Sequence, residues 1–431
     1  MKKVLLIFIF LSAPVVSASV YASDSAYEID LTGPITPVSA NYVATSLHKA
    51  KAAGAEFMLI KIDTPGGLVS SMEKIVKLFL NSKLPTVCYV SPSGARAASA
   101  GTFILASCDI AAMAPATSIG AAHPVSLGFF GGKNRIMKEK ITNYLSAMIR
   151  AIAEKRKRNA GFLMMAVKES KAITAREALA NHVIDTIAQN QRQLLLWLNN
   201  RRIDINGKSV LLHTKKISIL NGKMSAKEQF LHFLSYPTVS YLLFLVAAIG
   251  LFTELIHPGI ILPGVTGIIS LLLFLFSSSI LPVNISGIAL ILLAFVLFGI
   301  DLFSSSHGVL SAGAAISLFI GSAMIIGSPE APGLSVPIGL IAGITIGTSI
   351  FIVFAVSKMI AIHKKPPVTG FEGLIGASGV AITDISEKGV VMVHGERWNA
   401  VSENEIKAGA SVVVVDILRK ETTKLIVREE V

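Results

Sequence analysis

The sequence of 431 residues predicts a multidomain fold: an α/β domain first, a bundle of transmembrane helices second and a small all-β barrel last. Three observations predict it. The mean hydropathy of +0.65, with 52% hydrophobic and 15% charged residues, is too high for an ordinary soluble enzyme. Apolar residues concentrate between residues 237 and 362. Strand and helix patterns alternate before that segment, and short strand patterns follow it.

The first 22 residues are predicted to be a cleaved signal peptide. Lys2 and Lys3 precede an apolar stretch, and small residues end that stretch at Ala22, where a signal peptidase would cut. The alternative, an uncleaved anchor, is disfavoured because the apolar stretch is shorter than the ~20 residues that a span needs. We therefore expect the domain that follows to be exported.

Residues 23–235 are predicted to form the α/β domain. YEIDLTGPI predicts a strand, SANYVATSLHKAKAAG an amphipathic helix, and EFMLIKIDTPGG a buried strand that ends in a glycine turn. A helix (SSMEKIVKLFLNS) and a strand (PTVCYVSPSG) come next. This alternation indicates a parallel sheet with crossover helices. Ligands bind at the carboxyl ends of such strands, where the DTPGG and SPSGARAASAG segments both fall.

Residues 236–362 are predicted to form a membrane domain of about five helices. The apolar stretches lie near 237–256, 259–281, 283–303, 308–327 and 334–360. Each is close to the ~20 residues that cross a hydrocarbon core. Lys358, Lys364 and Lys365 after the last stretch favour a cytoplasmic position for the end that follows. An odd number of spans then places the first domain in the periplasm or outside the cell, and the protein in the inner, or plasma, membrane.

Residues 368–431 are predicted to form a closed barrel of the OB type, with a cytoplasmic position. About five short alternating strands are separated by glycines over ~60 residues. Such barrels can bind nucleic acid, but Trp398 is the only large aromatic residue after Phe371, so stacking of bases is poorly supported. Trp398 is interpreted as barrel core, and no nucleic acid partner is expected.

The charged and sulfur-containing residues point to no cofactor. The net charge of +12 is dispersed, and its densest cluster, KRKR at residues 155–158, is expected to face solvent or lipid headgroups. Cys88 and Cys108 lie in apolar surroundings; an exported chain permits a disulfide, but free buried thiols are favoured. No metal site is predicted, because no Cys or His pair falls at ligand spacing.

The segment GARAASAGTF contains a candidate nucleophile, Ser99. Acyl transfer needs an activated hydroxyl and N–H donors where the tetrahedral oxygen becomes negative. Ser99 opens a predicted helix, whose first N–H groups have no internal partner. The N–H groups of Ala100, Gly66 and Gly67 are the candidate oxyanion hole, and glycine suits a backbone that approaches a substrate. Two glycine-rich turns at successive strand ends favour this over a simple close-packing role.

Two residues compete for the role of general base. His123 suits the role without adjustment, because an ordinary imidazole titrates near neutrality. Lys140 would first have to lose its proton, which desolvation in an apolar pocket promotes. Residue chemistry alone also allows a loop histidine and a solvated helix lysine, so the choice stays open at this point.

Four ordered motifs resemble the membrane-bound serine proteases of the long-form NfeD family, which belong to the Clp-protease or crotonase-like class. They are KIDTPGGLVSSM, GARAASAGTFILASCDIAAMAPATSIGAAHPV, KEKITNYLSAMIRAIAEKRKRN and ITAREALANHVID, with GERWNAVS in the barrel. The resemblance covers essentially the whole chain. It implies a Ser–Lys dyad of Ser99 and Lys140, with the oxyanion turn on Gly66 and Gly67. His123 stays the alternative base, since soluble Clp proteases place a histidine at about this interval after the serine.

The resemblance also implies a function and partners. The chain is expected to be a serine endopeptidase that cleaves apolar segments of stomatin- or prohibitin-like membrane proteins, working as a homodimer or larger oligomer without a cofactor. A noncatalytic scaffold for membrane microdomains is the alternative, and acyl-coenzyme A chemistry is disfavoured by export. Two departures stand out: His182 and Lys157 occupy positions where such sequences often have glycine. Either the turn at His182 differs or a left-handed histidine is tolerated there at some cost, and Lys157 adds charge near the domain surface.

Overall fold

The computed structural model describes residues 25–124, 135–205, 207–259, 261–281, 283–303, 308–325, 335–363, 371–419 and 423–430. It divides into two compact units, residues 1–347 and 348–431. The signal peptide predicted for residues 1–22 lies outside the described residues.

Eleven described strands belong to the first unit. In chain order they are β1 (Ser25–Thr32), β2 (Phe57–Asp63), β3 (Thr86–Val90), β4 (Arg96–Ala98), β5 (Ile110–Met113), β6 (Ser118–Gly120), β7 (Ala172–Thr174), β8 (Thr186–Ile187), β9 (Arg202–Ile205), β10 (Lys208–Leu211) and β11 (Ser218–Asn221). Six of them form a parallel sheet in the order β11-β1-β2-β3-β5-β8. The predicted parallel α/β sheet is confirmed.

The smaller strands lie outside this sheet. β4, β6 and β7 form a three-stranded sheet, and β9 with β10 forms an antiparallel hairpin. β4 is also joined to the central sheet, because Thr64, just after β2, pairs with Ala97. The small sheet therefore extends the carboxyl end of the central one.

Eight helices surround the sheet in the described part of this domain. They are α1 (Pro37–Ala52), α2 (Val69–Leu80), α3 (Ala100–Ser107), α4 (Arg135–Lys155), α5 (Ala160–Lys168), α6 (Ala175–Ala180), α7 (Gln191–Leu198) and α8 (Ala226–Leu234). The buried strand β2 alternates between two cores, with Met58 and Ile60 in the larger and Phe57 and Leu59 in the smaller. Both faces of the sheet are thus covered, as a parallel sheet requires.

Cys88 and Cys108 form a disulfide, so the expectation of free thiols is wrong. Cys88 lies in β3, and Cys108 follows the last residue of α3. The sheet and the helix bring the two Cα atoms to 5.9 Å, a separation typical of disulfides, although the residues are 20 apart in sequence. Both cysteines are fully buried, which is why their apolar surroundings in the sequence suggested core thiols.

The expectation that the KRKR cluster faces solvent is wrong for its two arginines. Arg156 forms an ion pair with Asp109, and Arg158 forms one with Asp185 at 3.0 Å; the Arg158 side chain is only 2% exposed. Burial lowers the pKa of Arg156. Buried charges are retained only when paired and hydrogen-bonded, and the local sequence gives no sign of the distant carboxylates.

Both departures from glycine adopt a left-handed backbone, which was one of the two alternatives expected for His182. Lys157 has φ 54° and His182 has φ 54°. His182 lies just after α6, and Val183 N donates to Ala178 O at 2.8 Å, which closes the end of the helix. A residue with a Cβ atom pays roughly 1–2 kcal/mol for this conformation.

His182→Gly is therefore expected to stabilise the folded state by about 0.5–1 kcal/mol, since the relief of strain exceeds the entropy cost of glycine. His182 is exposed, so little packing is lost. The matched control is His48→Gly, an exposed histidine inside the α1 helix, which should lose a few tenths of a kcal/mol. Thermal melts of the full-length protein in detergent measure both, and equal shifts of the two variants would contradict the prediction.

Among the described residues of the membrane region there are five helices. They are α9 (Pro237–Ile256), α10 (Ile261–Ser278), α11 (Ile285–Phe303), α12 (Val309–Ile325) and α13 (Ile338–His363). Among the described residues, α9 and α10 are long and apolar enough to span a membrane, and the other three contain shorter apolar segments. Only 39% and 28% of the two spans is buried within the protein, so apolar side chains face outward as in lipid. The five-span topology stays a prediction.

Small residues bring the membrane helices together in pairs. α9 approaches α10 at Gly250 and Gly267, where a Cβ atom on Gly250 would lie 2.9 Å from Gly267 Cα. α11 approaches α12 at Gly287 and Gly321, where a Cβ atom on Gly287 would lie 2.9 Å from Gly321 O. Such close backbone contact is typical of helix pairs in membranes.

The described strands of the second unit form the predicted closed barrel. They are β12 (Ser378–Ala381), β13 (Gly389–Val393), β14 (Glu396–Val401), β15 (Ser411–Arg419) and β16 (Thr423–Glu429). Their order is β12-β13-β14-β16-β15, and β15 pairs with β12 to close the barrel. Trp398 is partly buried against the barrel core, in agreement with its interpretation.

Candidate active site

Ser99 lies on a sharp turn between β4 and α3. It directly precedes the first residue of α3 and has φ 51° and ψ −115°, a conformation that a residue with a Cβ atom adopts only at a cost of ~1–3 kcal/mol. Its N–H donates to Gly120 O at 2.9 Å, and its hydroxyl makes no capping bond to the helix. The strand–turn–helix arrangement exposes a serine hydroxyl as a nucleophile elbow does.

The side-chain hydroxyl of Thr102 and the backbone carbonyl of Thr64 hold this turn in place. Thr102 Oγ1, one turn into α3, lies 3.0 Å from Ala97 O and 2.9 Å from Gly120 O. On the other side, Ala98 N donates to Thr64 O at 3.1 Å. The strained conformation of Ser99 is thus fixed by hydrogen bonds from three different segments, a condition under which strain persists.

The glycine turn after β2 lies directly against Ser99. A Cβ atom on Gly66 would be 2.6 Å from Ser99 Cβ and 3.0 Å from Ser99 Oγ, and Gly66 has φ 121°. A Cβ atom on Gly67 would be 2.6 Å from Ile35 Cα. Both positions therefore require glycine for lack of space, and Gly66 additionally for its backbone conformation.

The N–H groups at the turn differ in their availability. Gly66 N donates to Thr64 Oγ1 at 3.1 Å. Within the part of the chain that the structure describes, the N–H groups of Gly67 and Ala100 have no hydrogen-bond partner. Unpaired backbone donors next to a serine hydroxyl are the groups that stabilise a developing oxyanion.

Lys140 lies on the exposed N-terminal half of α4 and, among the described contacts, makes none with Ser99. α4 runs beside α2: Tyr144 Oη donates to Glu73 at 2.9 Å, and Lys155 Nζ donates to Leu80 O at 3.0 Å. The hydrogen bond to Glu73 raises the pKa of Tyr144. Lys140 precedes Tyr144 by one helical turn, about 6 Å, on the same side of the helix. It therefore lies toward the beginning of α2, where the glycine turn is.

His123 lies three residues beyond the end of β6, the strand that pairs with β4. Gly120 pairs with Ala98, and its carbonyl accepts from the Ser99 N–H, so the strand end that precedes His123 is in direct contact with Ser99. The His123 Nδ1 atom is 2.9 Å from Val167 O. Since a carbonyl only accepts, Nδ1 carries the proton when the ring is neutral, and Nε2 is then the acceptor of the ring. The contact of Nδ1 with a backbone carbonyl takes the place that a carboxylate fills in a Ser-His-Asp triad.

The structure thus brings Ser99 together with Gly66, Gly67 and Ala100, and places His123 and Lys140 on separate segments. Sequence reasoning missed the supporting residues Thr64, Thr102 and Gly120. No local pattern identifies them, because each acts through a contact with another segment of the chain. Only the position of Thr64 inside the DTPGG turn gives a signal, since threonine hydroxyls often bond to nearby backbone in turns.

Three family models match the chain in the predicted order. They describe an NfeD1b N-terminal domain over residues 25–204, an NfeD integral membrane domain over 238–358, and an NfeD-like C-terminal, partner-binding domain over 371–429. Together they span the α/β domain, the membrane helices and the barrel.

Similar proteins are known from two other organisms. The chain is 31% identical to the membrane-bound protease PH1510 of Pyrococcus horikoshii, over 100% of this chain and 98% of the relative. It is 28% identical to the membrane protein NfeD1b of Bacillus subtilis, over 90% of this chain and 89% of the relative. A solved structure, the 1510-N membrane protease specific for a stomatin homolog from Pyrococcus horikoshii, is 30% identical with a TM-score of 0.43, covering 49% of this chain and 98% of that one.

Proposed function

The chain belongs to the NfeD family of membrane proteins, and from this premise we propose that it is a membrane-bound serine endopeptidase with Ser99 as nucleophile. One observation carries the proposal: Ser99 is held in a strained turn against Gly66, beside two backbone N–H groups that have no partner among the described residues. A scaffold has no need for a strained serine or for unpaired donors, both of which cost stability. An acyl-transfer enzyme needs both.

The proposed reaction proceeds through an acyl-enzyme. Ser99 Oγ attacks the carbonyl carbon of the scissile peptide bond, and the base accepts its proton. The N–H groups of Gly67 and Ala100 stabilise the oxyanion, while Gly66, which has no Cβ atom, allows the turn to lie directly against Ser99. The base then gives the proton to the leaving amine as the C–N bond breaks. Water, deprotonated by the same base, hydrolyses the ester and restores Ser99.

Lys140 is the proposed base in this mechanism. It lies toward the glycine turn along α2, and the family resemblance assigns it to the dyad. His123 is less suited, because its Nδ1 bonds to a backbone carbonyl, which cannot stabilise an imidazolium as a carboxylate does. Lys140 is exposed, so bound substrate must exclude water from it before it can act as a base.

The proposed substrates are apolar segments of stomatin- or prohibitin-like membrane proteins. This part of the proposal is supported by the relative described as a protease specific for a stomatin homolog, and by the match of the barrel to a partner-binding domain. A homodimer or larger oligomer is proposed as the working form. Exposed apolar side chains on α4, such as Ile136, Met137 and Ile141, are compatible with a partner surface.

The test of the function is cleavage that depends on Ser99. Full-length protein in detergent is incubated with the terminal segments of candidate membrane proteins, and products are identified by mass spectrometry. Ser99→Ala is expected to abolish cleavage, because it removes the nucleophile. The matched control, Ser93→Ala, changes an exposed serine of the same segment and should keep full activity. A folded wild type that cleaves no segment would favour the scaffold instead.

The sidedness of the membrane protein is a separate proposal. The α/β domain is placed in the periplasm or outside the cell and the barrel in the cytoplasm, on the basis of the predicted signal peptide and the lysines after the last apolar stretch. A phosphatase reporter fused near residue 225 should be active outside, and one fused after residue 431 should be inactive. Activity of both fusions would mean that the number of spans is even.

A further inference from the structure

The helix α8 leads directly into the first membrane span. It ends at Leu234, and α9 begins at Pro237. Its Phe230 and Phe233 side chains are 50% and 56% exposed, one turn apart on the same face. Lys223 and Lys227 are exposed nearby. Exposed aromatic residues with flanking lysines, next to a span, are characteristic of a helix that lies in the interface of a bilayer.

The opposite side of α8 packs on the carboxyl end of β1. His232 lies against Thr32, the last residue of β1, and its ring meets that of Tyr236 edge-on at 5.4 Å. Tyr236 fills the space beside Gly33, where a Cβ atom would lie 3.0 Å from its Cζ atom. The residue just before the span is therefore seated on the turn that ends the first strand.

This contact continues to the proposed active site within a few residues. Two residues beyond Gly33, Ile35 N donates to Gly66 O at 2.8 Å, and Leu68 N donates to Ile35 O at 2.9 Å. Gly66 in turn lies against Ser99. Backbone hydrogen bonds and two close contacts thus link the entry into the membrane with the nucleophile. The path from Gly33 to Ile35 is two extended residues, ~7 Å, and the step from Ile35 to its paired residue Gly67 is ~5 Å. Gly67 therefore lies within about 15 Å of the Tyr236 ring.

The membrane helices fix the end of α8 as well. Ser277, near the end of α10, donates to Leu234 O at 2.6 Å. Tyr42 on α1 donates to Gly222 O at 2.8 Å, which fixes the segment before α8. The connection between the α/β domain and the spans is consequently a packed joint at both ends of α8.

We propose that α8 is an interfacial anchor that inserts Phe230 and Phe233 into the lipid surface and holds the carboxyl edge of the sheet, with Ser99, toward the bilayer. The occupant of this surface is lipid, because the helix continues into a span of a membrane protein and its lysines complement anionic headgroups. A consequence for substrates rests on the proposed function. The scissile bond must lie close to the membrane, within about six extended residues of the bilayer surface.

Quenching by lipid tests the anchor without any need for activity. Phe230→Trp, Phe233→Trp and Leu211→Trp are each placed in the Ser99→Ala protein and reconstituted in nanodiscs of phosphatidylcholine and phosphatidylglycerol with brominated acyl chains. The two native tryptophans give a constant background measured on the parent protein. Leu211 is the matched control: it is 40% exposed, and it lies near His213, whose N–H bonds to Glu56 at the amino end of β2.

The added emission at positions 230 and 233 should lose most of its intensity, while that at 211 should keep it. Equal quenching at 211, or none at 230 and 233, would overturn the proposal. Each variant is also compared in unbrominated nanodiscs, so that a change of fold is recognised by its emission maximum.

A flexible insertion tests the consequence for substrates. Six Gly and Ser residues between Ser235 and Tyr236 should reduce cleavage of a membrane-anchored substrate at least tenfold relative to a soluble peptide of the same sequence. The same insertion after Gly207, in the exposed β9–β10 turn, should leave that ratio unchanged. An unchanged ratio in the first variant would refute the positional requirement. If wild type cleaves neither substrate, the proposed function fails, and the quenching still decides the anchor.

Discussion

Lys140→Ala is expected to lower kcat/KM for a cleavable peptide by a factor of ~10² to 10⁴, the typical effect of losing a general acid–base group. The loss will be larger if Ser99 and Lys140 act as a unit. Lys140→Arg should fail nearly as badly, because a guanidinium keeps its proton in this pH range and cannot accept another. Turnover of one peptide by purified full-length variants measures the effect.

The matched control for Lys140 is Lys138→Ala. Lys138 is an exposed lysine on the same helix, two residues away and therefore on a different side. It should retain wild-type turnover, which separates a specific role from a loss of local charge. His123→Ala is the competing variant. If His123→Ala is inactive while Lys140→Ala keeps much of its activity, the dyad is replaced by a serine–histidine site.

The sequence was most informative where local patterns determine structure. Alternating apolar residues predicted the buried strands, and the position of DTPGG and GARAASAG after two of them predicted that Gly66 and Ser99 would lie close together. A Cβ atom added to Gly66 would lie only 2.6 Å from Ser99 Cβ, which shows how close the two residues are. Strand ends of a parallel sheet meet at one edge, so this inference needs no long-range information.

The remaining features depend on contacts that no local pattern contains. The burial of Arg156 and Arg158 depends on Asp109 and Asp185, which lie on other segments of the chain. The pairing of Cys88 with Cys108 depends on how α3 crosses β3. The choice between Lys140 and His123 depends on what surrounds each side chain when substrate is bound, which the one-dimensional pattern does not determine.

The arginines also explain how Ser99 is held in position. α3 is a short helix with Ser99 at its beginning, and its last carbonyl groups have no partner within the helix. Arg158 donates to Ala106 O at 3.2 Å and to Cys108 O at 3.1 Å, while Arg156 donates to Ser107 O at 2.8 Å. The two guanidinium groups thus complete the end of the helix and complement its dipole.

Arg158→Ala is accordingly expected to destabilise the α/β domain by about 2–4 kcal/mol, because it leaves the carbonyls of Ala106, Val183 and Cys108 without their buried donor. The lost ion pair with Asp185 adds less, since that side chain is 35% exposed and still accepts from Ala111 N–H. A loss of this size corresponds to a fall in Tm of about 10 °C for a domain of this length. Arg158→Lys should recover little, since an ammonium cannot reach carbonyls in several directions as the fork of a guanidinium does.

The control for this prediction is an arginine whose ion pair is exposed. Arg150 is 57% exposed and lies 3.9 Å from Glu154, so Arg150→Ala should cost at most about 0.5 kcal/mol. Thermal melts of the full-length variants in detergent measure the difference. The buried Arg158 guanidinium holds the end of α3, the helix that begins directly after Ser99. Arg158→Ala should therefore also lose peptidase activity at temperatures where Arg150→Ala retains it. Equal melting temperatures for the two variants would show that the buried guanidinium adds nothing to the fold, and that α3 is positioned by its apolar contacts alone.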